Sequence, residues 1–153
     1  MNRLRLIGQM TLLAGCTLLV VGCGGTPDGI TVKGKLVTPP GLKLLKDDNI
    51  QIDFFPANDA GSAATAQCTG ESLEFTLNRG VGEGVLAGDY KVSVMVQAYP
   101  GSQGIEKRRQ VYEKINNDFN RDTTPLKYSI PSGSPSQTHN LTVDLAKKAV
   151  TAN

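Results

Sequence analysis

The chain has 153 residues, 39% of them hydrophobic and only 5% aromatic, with 17 Gly, 8 Pro and no Trp. That length allows one domain with a real core and excludes two ordinary ones. The 16 Lys plus Arg stand against 14 Asp plus Glu, which leaves no footprint of the strongly basic kind that nucleic acid requires, so no nucleic-acid partner is expected.

The first segment carries Arg3 and Arg5 and then an uncharged, largely apolar run from Leu6 to Val21. The run is shorter than the roughly 20 apolar residues a membrane-crossing helix needs, so a cleaved export signal is expected. Two cysteines close this region, in Leu13-Ala14-Gly15-Cys16 and Val20-Val21-Gly22-Cys23. Both resemble the bacterial lipobox, in which the Cys thiolate is the nucleophile that takes up diacylglycerol and cleavage follows just before it. Cleavage before Cys23 uses the whole apolar run and leaves CGGTPDG, a flexible tether. Cleavage before Cys16 would leave an apolar tail. Cys23 is therefore the expected lipidation site and Cys16 the alternative. In the first case Cys68 stays single and reads as a small hydrophobe; in the second, Cys23 and Cys68 could pair in an oxidising compartment. Loss of Arg3 and Arg5 takes the 16 basic residues to 14, equal to the 14 acidic ones, so the mature part is neutral.

The expected organisation is a signal peptide over 1–22, a tether over 23–29, a β-sandwich domain over 30–148 and a C-terminal tail over 149–153. Six sets of alternating apolar residues follow in chain order. They are Ile30, Val32 and Leu36; Ile50, Ile52 and Phe54; Leu73, Phe75 and Leu77; Tyr90, Val92, Val94 and Val96; Leu126, Tyr128 and Ile130; and Leu141, Val143 and Leu145. Ala64, Ala66 and Cys68 form a weaker seventh. Strand side chains point alternately to opposite faces, so each set predicts a strand with one buried and one wet face. Two antiparallel sheets packed on those faces bury all the stripes at once. One segment breaks the pattern: Ile105, Tyr112, Ile115 and Phe119 have helical spacing, predicting a short amphipathic helix or a turn-rich excursion across a sheet edge. Its Lys107, Arg108, Arg109 and Lys114 read as a solvated face.

Catalytic constellations are thin. His139 is the single histidine, and a base without a nucleophile and an orienting partner is no triad; an exposed turn residue is expected there. Asp118, Asn120 and Asp122 have the spacing that opens a calcium-binding loop, but Thr123 stands where a Gly is needed and Ser129 where a bidentate Glu is needed. They are the only metal candidates, and a polar turn is the preferred reading. Asp47, Asp48 and Asp53 read as solubilising charges. The glycines of residues 78–88 lack the Lys-Ser/Thr and the helix that a phosphate loop needs. No cofactor and no enzymatic activity are expected.

The order ITVKGKLV, IQIDFFPAND, GVGEGVLAGDYKVSVMV, TTPLKYSI, HNLTVDL resembles the small transthyretin-like or carboxypeptidase-regulatory-like lipoproteins of planctomycete bacteria. The matching positions are Val32, Gly34 and Leu36; Phe54 or Phe55 with Pro56; Val85, Gly88, Tyr90, Val92 and Val94; and Thr124, Pro125 and Leu126. The first loop, TPPGLKLLKDDN, is longer than the family's usual G-x-P-L turn. The resemblance implies an all-β, seven-stranded Greek-key sandwich of the transthyretin-like (prealbumin-like) type, with one helix or loop excursion. It also implies a lipid anchor in the cell envelope, and Gly24 rather than Asp after Cys23 resembles lipoproteins passed on to the outer membrane, so the outer membrane or cell surface is expected. The expected role is a non-catalytic binding or interaction module for an envelope protein or glycan, with a purely structural envelope component as the alternative.

Overall fold

Each alternating set becomes a strand because only one face of it tolerates water. The computed structural model describes residues 29–59, 61–80 and 83–153. Cys16, Cys23 and the expected signal segment lie outside the described residues. In chain order the elements are β1 (Thr31–Val37), β2 (Asn49–Pro56), β3 (Ala64–Thr69), β4 (Glu74–Leu77), β5 (Gly88–Gln97), α1 (Ile105–Asp118), β6 (Lys127–Ile130), β7 (Thr138–Asp144) and β8 (Ala149–Ala152). They form two four-stranded sheets, ordered β4-β1-β7-β8 and β3-β2-β5-β6. All named pairs are antiparallel except β1 with β7, which run parallel.

The fold is an all-β sandwich, and the described residues hold one helix and eight strands rather than the seven expected. The extra one is Ala149–Ala152, expected as a tail. It pairs with β7 from Leu141↔Ala152 to Asp144↔Ala149, through a turn in which Asp144 Oδ1 accepts the Lys147 N–H at 2.9 Å. Leu145, expected at the end of the β7 stripe, sits in that turn and is still buried. The other stripe residues are buried in one core, except Leu73 and Tyr128, which are half-buried against it.

The ends of the sandwich differ. β1 starts beside Thr138 and finishes beside Asp144, so over about 20 Å it carries the chain from the end where Ile30 lies to the opposite end. The loops at the Val37 end are 38–48, 70–73, 98–104 and 145–148; the helix starts there.

The expected excursion is a true helix, and it lies along the edge of β5. β6 pairs only with Gly88–Lys91, leaving the upper half of β5 without a strand partner on that side. An open edge invites pairing with other chains. Here the α1–β6 segment closes it: Val92 N–H donates to Leu126 O at 3.0 Å and Val94 N–H to Phe119 O at 3.0 Å. The buried Thr124 hydroxyl donates to Val92 O at 2.6 Å. Asn116 completes the edge with its side-chain amide, accepting from Val96 N–H at 2.7 Å and donating to Val96 O at 3.1 Å. One amide side chain thus replaces a residue of a missing strand. Asn116→Ala leaves both Val96 groups unpaired, and a loss of about 1–2 kcal/mol is expected. Urea unfolding checks this, with faster amide exchange at Val96; an unchanged midpoint contradicts the assignment.

Candidate functional site

The most constrained polar cluster lies at the Val37 end and is centred on Asp48. Expected as a surface charge, Asp48 is instead 0% exposed. Its loop turns back so that Leu45 N–H reaches Oδ2 at 2.8 Å while Asp48 N–H reaches Leu45 O at 3.0 Å. Oδ2 also accepts the Tyr112 hydroxyl at 2.6 Å. Oδ1 accepts Tyr99 N–H at 3.0 Å and faces the Arg108 guanidinium at 3.5 Å. A carboxylate has about four acceptor positions, and all are used. One side chain therefore ties together the β1–β2 loop, the β5–α1 loop and α1.

Arg108 extends the cluster. It donates to Gln103 O at 2.5 Å and to Ser102 Oγ, and Ser102 Oγ in turn donates to Tyr99 O at 2.5 Å. The main chain of Asp48 adds a fourth segment, since Gly70 N–H donates to its carbonyl at 3.0 Å. Gly70 is required: a Cβ there would stand 2.0 Å from Leu45 O, and no backbone can yield that much without moving the loop.

Proton affinities follow this geometry. Burial pushes the Asp48 carboxyl up, but the Tyr112 hydroxyl, the Leu45 and Tyr99 amides and the Arg108 charge outweigh it, so the net shift is downward. Tyr112 is pushed up to about 12, by burial first and then by its hydrogen bond to Asp48 and that group's charge. At neutral pH the pair is a carboxylate and a phenol. The arrangement holds loops in place. Beside it, among the exposed charges of Lys43, Lys46 and Asp47, the apolar side chains of Leu45 and Tyr99 are 42% and 56% exposed.

The structure disperses the other residues singled out from the sequence. Of the four basic residues on α1, Arg108 turns inward while Arg109 pairs with Glu106 at 3.2 Å on the surface, so the face is only partly solvated. Asp47 is exposed. Asp53 does face outward on β2, yet it is only 9% exposed, because Gln51 folds over it with Nε2 at 3.1 and 3.0 Å from its two oxygens. Asp118 and Asp122 are exposed, and Asn120 Oδ1 accepts the N–H groups of Asp122 and Thr123 at 2.9 and 3.1 Å, an Asx turn. Among the described residues no group of three or more His, Cys, Asp or Glu is placed to hold a metal ion.

His139 is not in a turn. It lies half-buried on β7, and its Nε2 is 2.6 Å from the Tyr128 hydroxyl on β6, a polar link between the two sheets. Tyr90 also has a polar role: its hydroxyl donates to Leu86 O at 2.9 Å, closing the corner that leads into β5 in the manner of a tyrosine corner. The G-x-Y spacing of Gly88 and Tyr90 is the sequence signal for that bond. Cys68 is a buried free thiol, and burial pushes it up to about 11, which suppresses the reactive thiolate.

Compared with known proteins, the chain matches no protein-family model, no curated protein and no solved structure.

Proposed function

We propose that the chain is an envelope lipoprotein of the transthyretin-like kind, anchored through Cys23, whose sandwich is a non-catalytic interaction module presenting its Val37 end to an envelope protein or glycan. The observation that carries this is the direction of β1. An anchor at Cys23 leaves only residues 24–29 as tether, and β1 then runs from that point toward the Asp48 cluster. The end of the domain opposite the start of β1 is the end whose loops are tied by a buried carboxylate and whose apolar side chains, Leu45 and Tyr99, face solvent. Burying a charge is costly unless it is fully paired, and here that cost fixes the shape of surface loops. The family reading draws support from where its motifs fall: Gly34 in mid-β1, Gly88 and Tyr90 at the start of β5, and Thr124, Pro125 and Leu126 leading into β6.

The test has two parts. Metabolic labelling with an alkynyl palmitate, in a bacterial host, is expected to mark the parent and Cys16→Ala but not Cys23→Ala, with the label tracking the membrane fraction. Label lost only in Cys16→Ala moves the anchor, and label absent throughout rejects it. Photo-crosslinkers at Leu45 and Tyr99 are expected to capture a recurring envelope partner that one at Lys33, on the outer sheet face, does not. Equal capture from all three sites rejects the presentation of this end.

A further inference from the structure

Beside the Asp48 cluster, and independent of it, a groove of about 600 Å³ opens between α1, the start of the β1–β2 loop and the β7–β8 turn. Its floor is apolar: Ile115, Phe119 and Leu145 are buried there, Leu42 is half-buried, and Val111 on the helix wall is 50% exposed. The volume lies in the ordinary range of small-ligand sites, about 300–1,000 Å³.

The backbone around the groove decides what kind of occupant fits. Pro39 and Pro40 form part of the wall and have no N–H to give. The N–H groups of Leu42, Phe119 and Leu145 are already spent, on Pro39 O at 3.1 Å, Ile115 O at 2.9 Å and Val37 O at 2.9 Å. A peptide that binds by main-chain pairing finds few donors here, whereas an alkyl chain needs none. Charge decides the rest. Lys114 and Lys148 border the groove and are exposed, with Asp118 the one acidic residue lining it. Lys148 holds a left-handed backbone at φ 52, a conformation that Gly adopts without strain and most other residues do not.

We propose that this groove binds a free, single-chain fatty acid, its alkyl chain on Leu42, Val111, Ile115 and Phe119 and its carboxylate held by Lys114 and Lys148. No covalent step is involved. The Lys148 ammonium is the reason a strained residue stands in a turn where Gly would be easier.

The test uses the full chain with Cys16→Ala and Cys23→Ala, so that it carries no acyl group of its own. Monomeric dodecanoate is titrated while the methyl resonances of Leu42, Val111, Ile115 and Leu145 are followed. Saturable shifts at these methyls are expected, with dodecyltrimethylammonium weaker by at least about tenfold. Val111→Asp, at a half-exposed position that leaves the core intact, should weaken dodecanoate by a similar factor. Lys114→Glu with Lys148→Glu should reverse the order of the two amphiphiles. Lys148→Gly should melt at a higher temperature and bind dodecanoate less well. Equal binding of both amphiphiles, methyl shifts elsewhere only, unchanged affinity in Val111→Asp or in Lys148→Gly, or a preference for anionic phospholipid vesicles over monomeric dodecanoate each overturns the proposal.

Discussion

Asp48→Ala is expected to destabilise the protein by about 3–5 kcal/mol, the range for removing one partner of a buried, hydrogen-bonded charge. Two backbone donors, Leu45 N–H and Tyr99 N–H, lose their acceptor at once, and the Tyr112 hydroxyl exchanges its 2.6 Å bond to Asp48 for the longer 3.3 Å contact with Lys43 O. Arg108 is left with an unpaired charge on a side chain only 14% exposed, and its Nε already has no hydrogen-bond partner. Asp48→Asn keeps the shape but offers an NH₂ where donors converge, so it should recover only part of the loss. Urea unfolding measures both variants, and amide exchange at Leu45 and Tyr99 locates the damage. A cost below about 1 kcal/mol for Asp48→Ala, the size of one ordinary hydrogen bond, would remove Asp48 from its central role.

The same group sets a pH signature whose sign is fixed by the downward shift of Asp48. A carboxyl that ionises more readily folded than unfolded contributes its stability fully above the unfolded value, near 3.8. That contribution is lost as the pH falls through the lower, folded value. Stability should therefore fall on acidification below about pH 4, with a shallower slope in Asp48→Asn. Tyr112 acts at the other limit. Its folded value of about 12 against an ordinary 10 means that the unfolded phenol ionises first, so its contribution is intact below pH 10 and lost between about 10 and 12.

Why the strands were legible in the sequence and this cluster was not comes down to range. A strand stripe is written in adjacent residues, two apart, and Val92, Val94 and Val96 declare their face without reference to anything else. Asp48 meets Tyr99, Arg108 and Tyr112 at separations of 51, 60 and 64 residues, and no local pattern encodes that. One part was within reach. Arg108 lies four residues before Tyr112, so the two share a helix face, and the side that buries Tyr112 carries Arg108 inward. Asp53 shows the complementary limit: alternation correctly sends it outward, but its burial depends on Gln51 folding over it. β8 escaped notice because Val150 is its single strong apolar residue, too little for a periodic signal. Gly34 lies on β1 and Gly88 at the start of β5, and the strand pattern alone does not say why glycine stands in mid-β1.

Gly34 has a physical reason that a second prediction tests. On β1 it pairs with Phe75 of β4, and the Phe75 ring lies over the glycine in place of a side chain. A Cβ at residue 34 would sit 2.3 Å from Phe75 Cζ and 2.7 and 2.8 Å from the two Cε atoms, well inside van der Waals contact. Phe75 is only 5% exposed, so its ring has no solvent to swing into without uncovering the core. Gly34→Ala is accordingly expected to cost about 2–3 kcal/mol, the upper part of the overpacking range, although alanine fits a strand better than glycine does. The cause is the ring, so the cost should depend on it. In a Phe75→Ala background the cavity left by the ring accepts the methyl, and the same substitution should be neutral or stabilising. Denaturant unfolding of the four proteins in this cycle yields the coupling directly. A Gly34→Ala penalty that persists undiminished without the ring would show that the β1 backbone, and not Phe75, demands the glycine.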